Sequence, residues 1–301
     1  MRRFIAIVFL FTCVHSLVLG QTKQERPIIN GISHFSVYAT DPQAAKRFYT
    51  GELGFTEGPA IHPGHADYYA GTRQYVSVSQ LPAEHSTSRL DAIYFATTDA
   101  ERLRQYISAE GIKVPSHVDR DAEGSLSFEV VDPDGNHIGF EQQSKKHTIV
   151  LADNPTSKRI IHVGFAVHNR AAEDHFYREV LGFRPYWHGG MKDDNVDEWV
   201  SLQVPDGSDW LEYMLHGADT SQRSLGILNH FSLGVVDIND AAKKLEEHGW
   251  HETPAEHRQD GRDGKRQLNV FDPDMTRVEF MEFSNFREPC CSIFTASNPK
   301  P

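Results

Sequence analysis

Near the end of the chain, Arg277-Val278-Glu279-Phe280-Met281-Glu282-Phe283 follows an Asp272-Pro273-Asp274 turn. As a strand, its two-residue period puts Glu279 on one face with Met281 and Phe283, and Val278, Phe280 and Glu282 on the other. A carboxylate among apolar neighbours is costly to bury unless it binds something or something pairs with it, so Glu279 is a candidate ligand or base. The preceding loop, His257 to Arg266, is basic within an acidic protein and is jointed by Gly261 and Gly264. Arg262 and Lys265 are therefore candidates for holding an anionic substrate, and His257 for reaching it. Cys290 and Cys291 are adjacent. A bond between neighbours closes a strained ring, and their place in the tail argues against a disulfide framework, so the pair reads as incidental.

Glu279 can act only if the rest of the chain brings partners to it, and the chain is repetitive. Four stretches align without gaps: His34–Asp41, Ala92–Asp99, His162–Asn169 and His230–Asp237. Each is a β-rich run ending in Asp or Asn, residues that cap helix N-termini. A helical pattern follows each cap and stops at Gly54, Gly111, Gly182 or Gly249, where glycine suits a left-handed C-terminal cap. Strand-like alternation follows each glycine, so the unit is a strand, a helix and about three strands, repeated four times. The first and third units share Phe48-Tyr49 and Phe176-Tyr177. The second and fourth share the turns Asp132-Pro133-Asp134 and Asp272-Pro273-Asp274. The units thus pair one with two and three with four, and the polar stretch Gln142 to Arg159 joins the pairs.

This arrangement resembles the vicinal oxygen chelate superfamily, which includes glyoxalase I, the extradiol ring-cleaving dioxygenases and the bleomycin and fosfomycin resistance proteins. The resemblance implies an α+β fold of four βαβββ units, forming two tandem modules with cup-shaped mixed sheets. The expected boundaries are 29–145 and 160–285, with a linker at 146–159 and a tail at 286–301. In the family, metal ligands sit on the first and last strands of the units. Carried onto the second pair, those positions are His162, Glu212, His230 and Glu279, which resemble the glyoxalase I set in type and order. Imidazoles with carboxylates suit one divalent ion, whether Zn, Ni, Fe, Co or Mn. In the first pair only His34 holds its slot. Ala92, Ser77 and Gly139 occupy the others, with Glu141 two residues beyond Gly139, so that module is expected to have a degenerate metal site.

By analogy Glu279 would also shuttle a proton in glyoxalase-type chemistry on a small hydroxycarbonyl-like substrate. Two other functions compete. His162, His230 and Glu279 would supply the triad of an iron(II) extradiol dioxygenase, although Asn269 and Asp260 stand where those enzymes place a tyrosine and a histidine. A resistance-type protein would bind a small molecule without turnover.

The 301 residues include 42 acidic and 30 basic side chains, for a formal charge of −12. Such a chain lacks the basic footprint that nucleic-acid binding requires. Met1-Arg2-Arg3, the apolar run Phe4 to Val14 and Gly20 read as a secretory signal over residues 1–20. No later apolar run is long enough to cross a bilayer. The expectation is an exported protein, periplasmic or extracellular, without membrane contact once the signal is removed, acting as a monomer or homodimer.

Overall fold

The computed structural model describes residues 25–301 except 60, 85–86, 147–148, 193–195 and 216–218. The signal-peptide expectation lies outside the described residues. Among them, no helix is long and apolar enough to cross a membrane.

Eight strands form the first sheet: β1 (Ile29–Ala39), β2 (Thr56–Glu57), β3 (His65–Tyr69), β4 (Tyr75–Gln80), β5 (Leu90–Thr97), β6 (Asp119–Arg120), β7 (Leu126–Val131) and β8 (His137–Gln142). They pair in the order β2-β3-β4-β1-β5-β8-β7-β6. The second sheet contains β9 (Ile160–Ala166), β10 (Arg184–Gly189), β11 (Trp199–Gln203), β12 (Trp210–Met214), β13 (His230–Val235), β14 (Arg258–Asp260), β15 (Arg266–Phe271) and β16 (Arg277–Glu282). Its order, β10-β11-β12-β9-β13-β16-β15-β14, repeats the first permutation strand for strand. Each sheet mixes parallel and antiparallel pairs, so the expected α+β fold of two tandem modules is the one observed.

The local signals act as read. Asp41, Asp99, Asn169 and Asp237 each accept backbone N–H bonds at the N-terminus of the helix that follows. Those helices are α1 (Pro42–Lys46), α2 (Ala100–Ala109), α3 (Arg170–Asp174) and, past a short α4 (Gln222–Leu228), α5 (Ile238–Glu247). Gly54, Gly111, Gly182 and Gly249 all have positive φ, between 70° and 98°, a region that a Cβ disfavours. One feature was not anticipated. Helices α1 and α3 widen into π-helical turns at Arg47–Glu52 and His175–Val180, where Leu53 N–H bonds Phe48 O and Leu181 N–H bonds Phe176 O, each at 3.0 Å.

These wide turns carry Tyr49 and Tyr177 across to the opposite module. The Tyr49 hydroxyl donates to Asp272 at 3.1 Å and that of Tyr177 to Asp132 at 3.2 Å, so each module's tyrosine is received by the other's Asp-Pro-Asp turn. Apolar rings cross in the same way, Phe35 against Phe231 at 5.4 Å and Phe95 against Phe183 at 5.1 Å. Each buried ring contributes about 1.5–3 kcal/mol, and a single core runs through both modules. The connecting stretch is no solvated tether: Pro155, Thr156 and Ser157 are buried, with Thr156 N–H bonded to Leu53 O and the Ser157 hydroxyl to Gly234 O.

Candidate metal centre

Four neighbouring strands of the second sheet converge on its concave face. On β9 and β13, His230 stands opposite Gly164 and Ser232 opposite His162. Glu212 on β12 also stands beside Gly164, and Glu279 on β16 beside Ser232. Two small residues thus lie between the four polar ones. Gly164 has no room for a side chain, because a Cβ there would lie 2.2 Å from Cε1 of His230.

The functional atoms meet at short range. His162 Nε2 lies 3.1 Å from His230 Nε2 and 3.0 Å from a Glu279 carboxylate oxygen. His230 Nε2 is 3.5 Å from Glu212 and 4.0 Å from Glu279. Atoms of His162, Glu212 and His230 all lie within 4.8 Å of one another, the one such grouping among the described residues. Both imidazoles are fully buried and Glu279 is nearly so.

The donor chemistry fits a borderline divalent ion. His230 Nδ1 donates to the Leu228 carbonyl at 2.9 Å, an oxygen that can only accept, so Nε2 presents its lone pair to the centre. Helix α4 places that carbonyl. Burial, reinforced by Arg277 and His162, holds the His230 imidazole well below its usual pKa, in the neutral form that binds metals. Burial alone would raise Glu279. The hydrogen bond from His162 and the charge of Arg277 outweigh it and hold the carboxyl below its usual range, so Glu279 is ionised at neutral pH. Several buried polar atoms around the cup, including His162 Nδ1, Ser232 Oγ, Asn269 Oδ1 and Arg277 Nε, have no protein partner. Such atoms are rare away from sites that hold ions, water or ligands.

A cavity of about 270 Å³ opens onto Glu212 and Glu279. Its walls include Trp187, Trp199 and Trp210, and Phe294 from the tail. Residues 286–301 fold back over this mouth: Cys290 N–H bonds Arg262 O, Thr295 N–H bonds Tyr186 O, and the Phe294 ring packs on Tyr186 at 4.9 Å. Cys290 and Cys291, read from the sequence as incidental, are joined by a disulfide within this strap, and Trp187 donates to the Cys290 carbonyl.

The candidate substrate contacts separate. Arg262 lines the cavity, with Nε bonded to Gly190 O at 3.1 Å. His257 is exposed just before β14 and does not line it. Lys265 is fully buried behind the wall, its ammonium 4.7 Å from the centre of the Trp210 ring and flanked by Tyr186 and Phe294. Burial lowers its pKa to about 8, against the pull of Asp263, while burial raises Asp263 to about 6. Arg277, which also lines the cavity, was missed. The alternation that put Met281 beside Glu279 puts Arg277 on the same face, and that signal was available.

In the first module rings take the ligand positions, at the edge of a second cavity of about 210 Å³ lined by His34, Tyr75, Tyr94 and Glu141. By strand register Ser77 and Ala92 flank Ser36, as Glu212 and His230 flank Gly164, and Gly139 stands beside Tyr94, as Glu279 stands beside Ser232. His34 is stacked between Tyr75 and Tyr94, at 4.3 and 4.0 Å, and contacts Glu141 at 3.2 Å. A Cβ on Gly139 would lie 2.2 Å from the Tyr94 ring, so Tyr94 covers the place of the fourth ligand.

A family model described as the Glyoxalase/Bleomycin resistance protein/Dioxygenase superfamily matches residues 31–140 and 159–280. Among solved structures, the Mn(II)-bound glyoxalase from Novosphingobium aromaticivorans is similar with a TM-score of 0.62 and 20% identity, over 85% of this chain and 83% of that one. The 2,3-dioxygenase LapB from Pseudomonas sp. KL28 gives 0.64 and 15%, over 88% and 97%. A variant of homoprotocatechuate 2,3-dioxygenase from Brevibacterium fuscum gives 0.66 and 17%, over 89% and 75%. At these identities the likeness is one of fold. No curated protein matches the sequence.

Proposed function

Because this chain belongs to the Glyoxalase/Bleomycin resistance protein/Dioxygenase superfamily, we propose that its second module is a metal-dependent enzyme site of the glyoxalase type, acting on a small hydroxycarbonyl-like substrate. The observation that carries this reading is the convergence of four side chains, His162, Glu212, His230 and Glu279, of which the two carboxylates line one cavity and the two imidazoles are buried against them. These residues would hold one divalent ion, which supplies Lewis-acid polarisation of a substrate oxygen. His162 and His230 offer ring nitrogens and Glu212 a carboxylate. Glu279, ionised and 3.0 Å from His162, accepts a proton from a substrate carbon and returns it to the neighbouring one. Tryptophans and Phe294 of the tail wall the cavity in which this exchange would take place.

Replacing Glu279 with Gln is expected to abolish turnover while leaving part of the metal bound, whereas His230→Ala loses both. Metal analysis beside an activity screen on hydroxycarbonyl compounds makes the test. Failure of the metal-supplemented wild-type protein to bind one equivalent of any divalent ion would refute the assignment and favour ligand binding without turnover.

A second reading, iron(II) ring cleavage through His162, His230 and Glu279, is favoured by the similarity in fold to two dioxygenases. Against it, Asn269 stands directly beside Glu279 on β15, so no phenol is supplied there. Ring cleavage requires oxygen uptake with iron alone and an activity that survives Glu212→Gln. We also propose that the protein is exported after loss of residues 1–20, to be checked by N-terminal sequencing of the protein from its native host.

A further inference from the structure

We infer that the substrate carries a carboxylate, or a comparable singly charged anionic group, which Arg277 holds at the side of the cup while the substrate's other oxygens face the four-residue centre. The inference rests on the metal reading above and adds the substrate's charge.

Arg277 begins β16 and lines the cavity on the face it shares with Glu279. Its side chain makes no hydrogen bond or ion pair with any described residue, and its Nε is buried without a partner. Arg277 is half-buried, with its terminal nitrogens open to the cavity and its Nε shielded from water; a guanidinium partly withdrawn from water gains from an anion that pairs with it, so something that enters the cavity is expected to complete it.

The protein's own anions are committed elsewhere. Glu212 and Glu279 together neutralise a divalent ion held between them, and so do not neutralise Arg277 once it is bound. Asp263 faces Lys265, and Asp260 at the rim lies 3.8 Å from Arg287. Among the other nearby cations, Arg266 reaches Glu282 at 3.7 Å, and Arg262 is tied to Gly190 O. Arg262 also lines the cavity, but its guanidinium is already held by the loop, whereas the Arg277 fork, whose shape matches a carboxylate, faces the cavity with no anion bonded to it among the described residues.

The remaining walls define the rest of the molecule. Trp187, Trp199, Met281 and Phe294 present apolar surface, so the body of the substrate is flat or aliphatic. A volume near 270 Å³ lies just under the usual range of about 300–1,000 Å³ for ligand sites. That size suits a small acid better than a bulky thiol conjugate.

The test uses two probes of equal shape on the zinc-loaded full chain, 3,4-dihydroxybenzoate and 3,4-dihydroxybenzamide, with dissociation constants measured by calorimetry. Both carry adjacent oxygens able to meet the metal, and only one carries the anion. The wild-type protein is expected to bind the benzoate about ten- to hundredfold more tightly, the range for a hydrogen-bonded charged group. Arg277→Met, compared with the wild type at equal metal loading, should remove that preference, and Arg277→Lys should keep part of it. Equal affinities in the wild type, a comparison that needs no variant, would overturn the inference, as would an Arg277→Met protein weakened equally for both probes. Zinc content is measured before either probe is added. A protein that takes up no zinc is offered nickel, cobalt, manganese and iron(II) in turn; binding none of them refutes the metal reading and this inference with it, whereas a loaded protein blind to the carboxylate refutes the inference alone.

Discussion

Replacing Gly164 with alanine perturbs the centre without removing any of its four polar side chains. The new Cβ would lie 2.2 Å from Cε1 of His230, 2.6 Å from Nδ1 and 3.0 Å from Nε2. Contacting carbon atoms settle at about 3.5–4.0 Å, so the imidazole must retreat by roughly an ångström or more. It cannot do so freely, because Nδ1 is bonded to Leu228 O at 2.9 Å and the ring is fully buried. Metal–ligand distances tolerate only about 0.2 Å of error. A displaced imidazole should therefore weaken metal binding by about ten- to hundredfold, comparable to losing an orienting partner. Overpacking should cost ~1–3 kcal/mol of stability. The backbone at Gly164 does not have positive φ, so alanine itself carries no conformational penalty and any loss is steric. In the first module Ser36, which carries a Cβ, stands opposite Ala92, as expected where no histidine needs the space. Competition against a chromophoric chelator reads the metal affinity, and thermal unfolding with and without metal reads the stability. An alanine variant that binds metal as tightly as the wild type would refute the claim that His230, held in this position, is a ligand.

Glu173 is fully buried on α3 beside Asp132 and Asp134 of the first module, one oxygen bonded to Asp134 N–H and the other without a partner. Burial, then the charge of Asp132, raises its pKa to about 8. A carboxyl whose folded pKa is raised binds its proton more tightly than the unfolded chain does, so its stabilising contribution is present in acid and is lost as pH rises from about 4.5 through 8. The nominal effect is about 5 kcal/mol, and an effective dielectric well above that of a dry interior reduces it to ~2 kcal/mol. Glu173→Gln should therefore be the more stable protein at pH 8 and lose its advantage near pH 5. Denaturant titrations at the two values check this, and a pH-independent difference would count against it. Tyr49→Phe and Tyr177→Phe each delete a hydrogen bond to a buried aspartate in the opposite module, and each should lower stability by ~1.5–3 kcal/mol. Because one core is shared, unfolding should stay a single transition, and two resolved transitions in the wild type would contradict a shared core.

The repeat was legible because its signals are local. A cap such as Asp237 and a stop such as Gly249 act within one turn of their own helix. The slots of His162, Glu212, His230 and Glu279 could be located because strand phase follows once those starts are aligned. Features set by distant contacts were not legible. Nothing adjacent to Phe48-Tyr49 announces a π-helical turn, since its payoff is a bond to Asp272 far along the chain. Lys265 sits in a loop of polar residues, and only Trp210, Tyr186 and Phe294 converging from three other segments bury it. The strap at 286–301 has no periodicity of its own and owes its path to the cavity it covers. Arg277 differs from these, because its place followed from an alternation already in use.

The reciprocal bonds of Tyr49 to Asp272 and Tyr177 to Asp132 relate the halves by an approximate two-fold axis, with the same patch used on both sides. That is the self-complementary contact of a symmetric dimer, here written into one chain. A true homodimer must carry any change in both cups at once. Fusion removes that obligation, and the two cups have diverged: one gathers imidazoles and carboxylates, while the other holds a stack of Tyr75, His34 and Tyr94. The interface nevertheless stays indivisible. A protein cut between residues 142 and 160 would expose the rings of Phe35, Phe95, Phe183 and Phe231 together, so either half is expected to survive only by pairing again, with its complement or with a copy of itself.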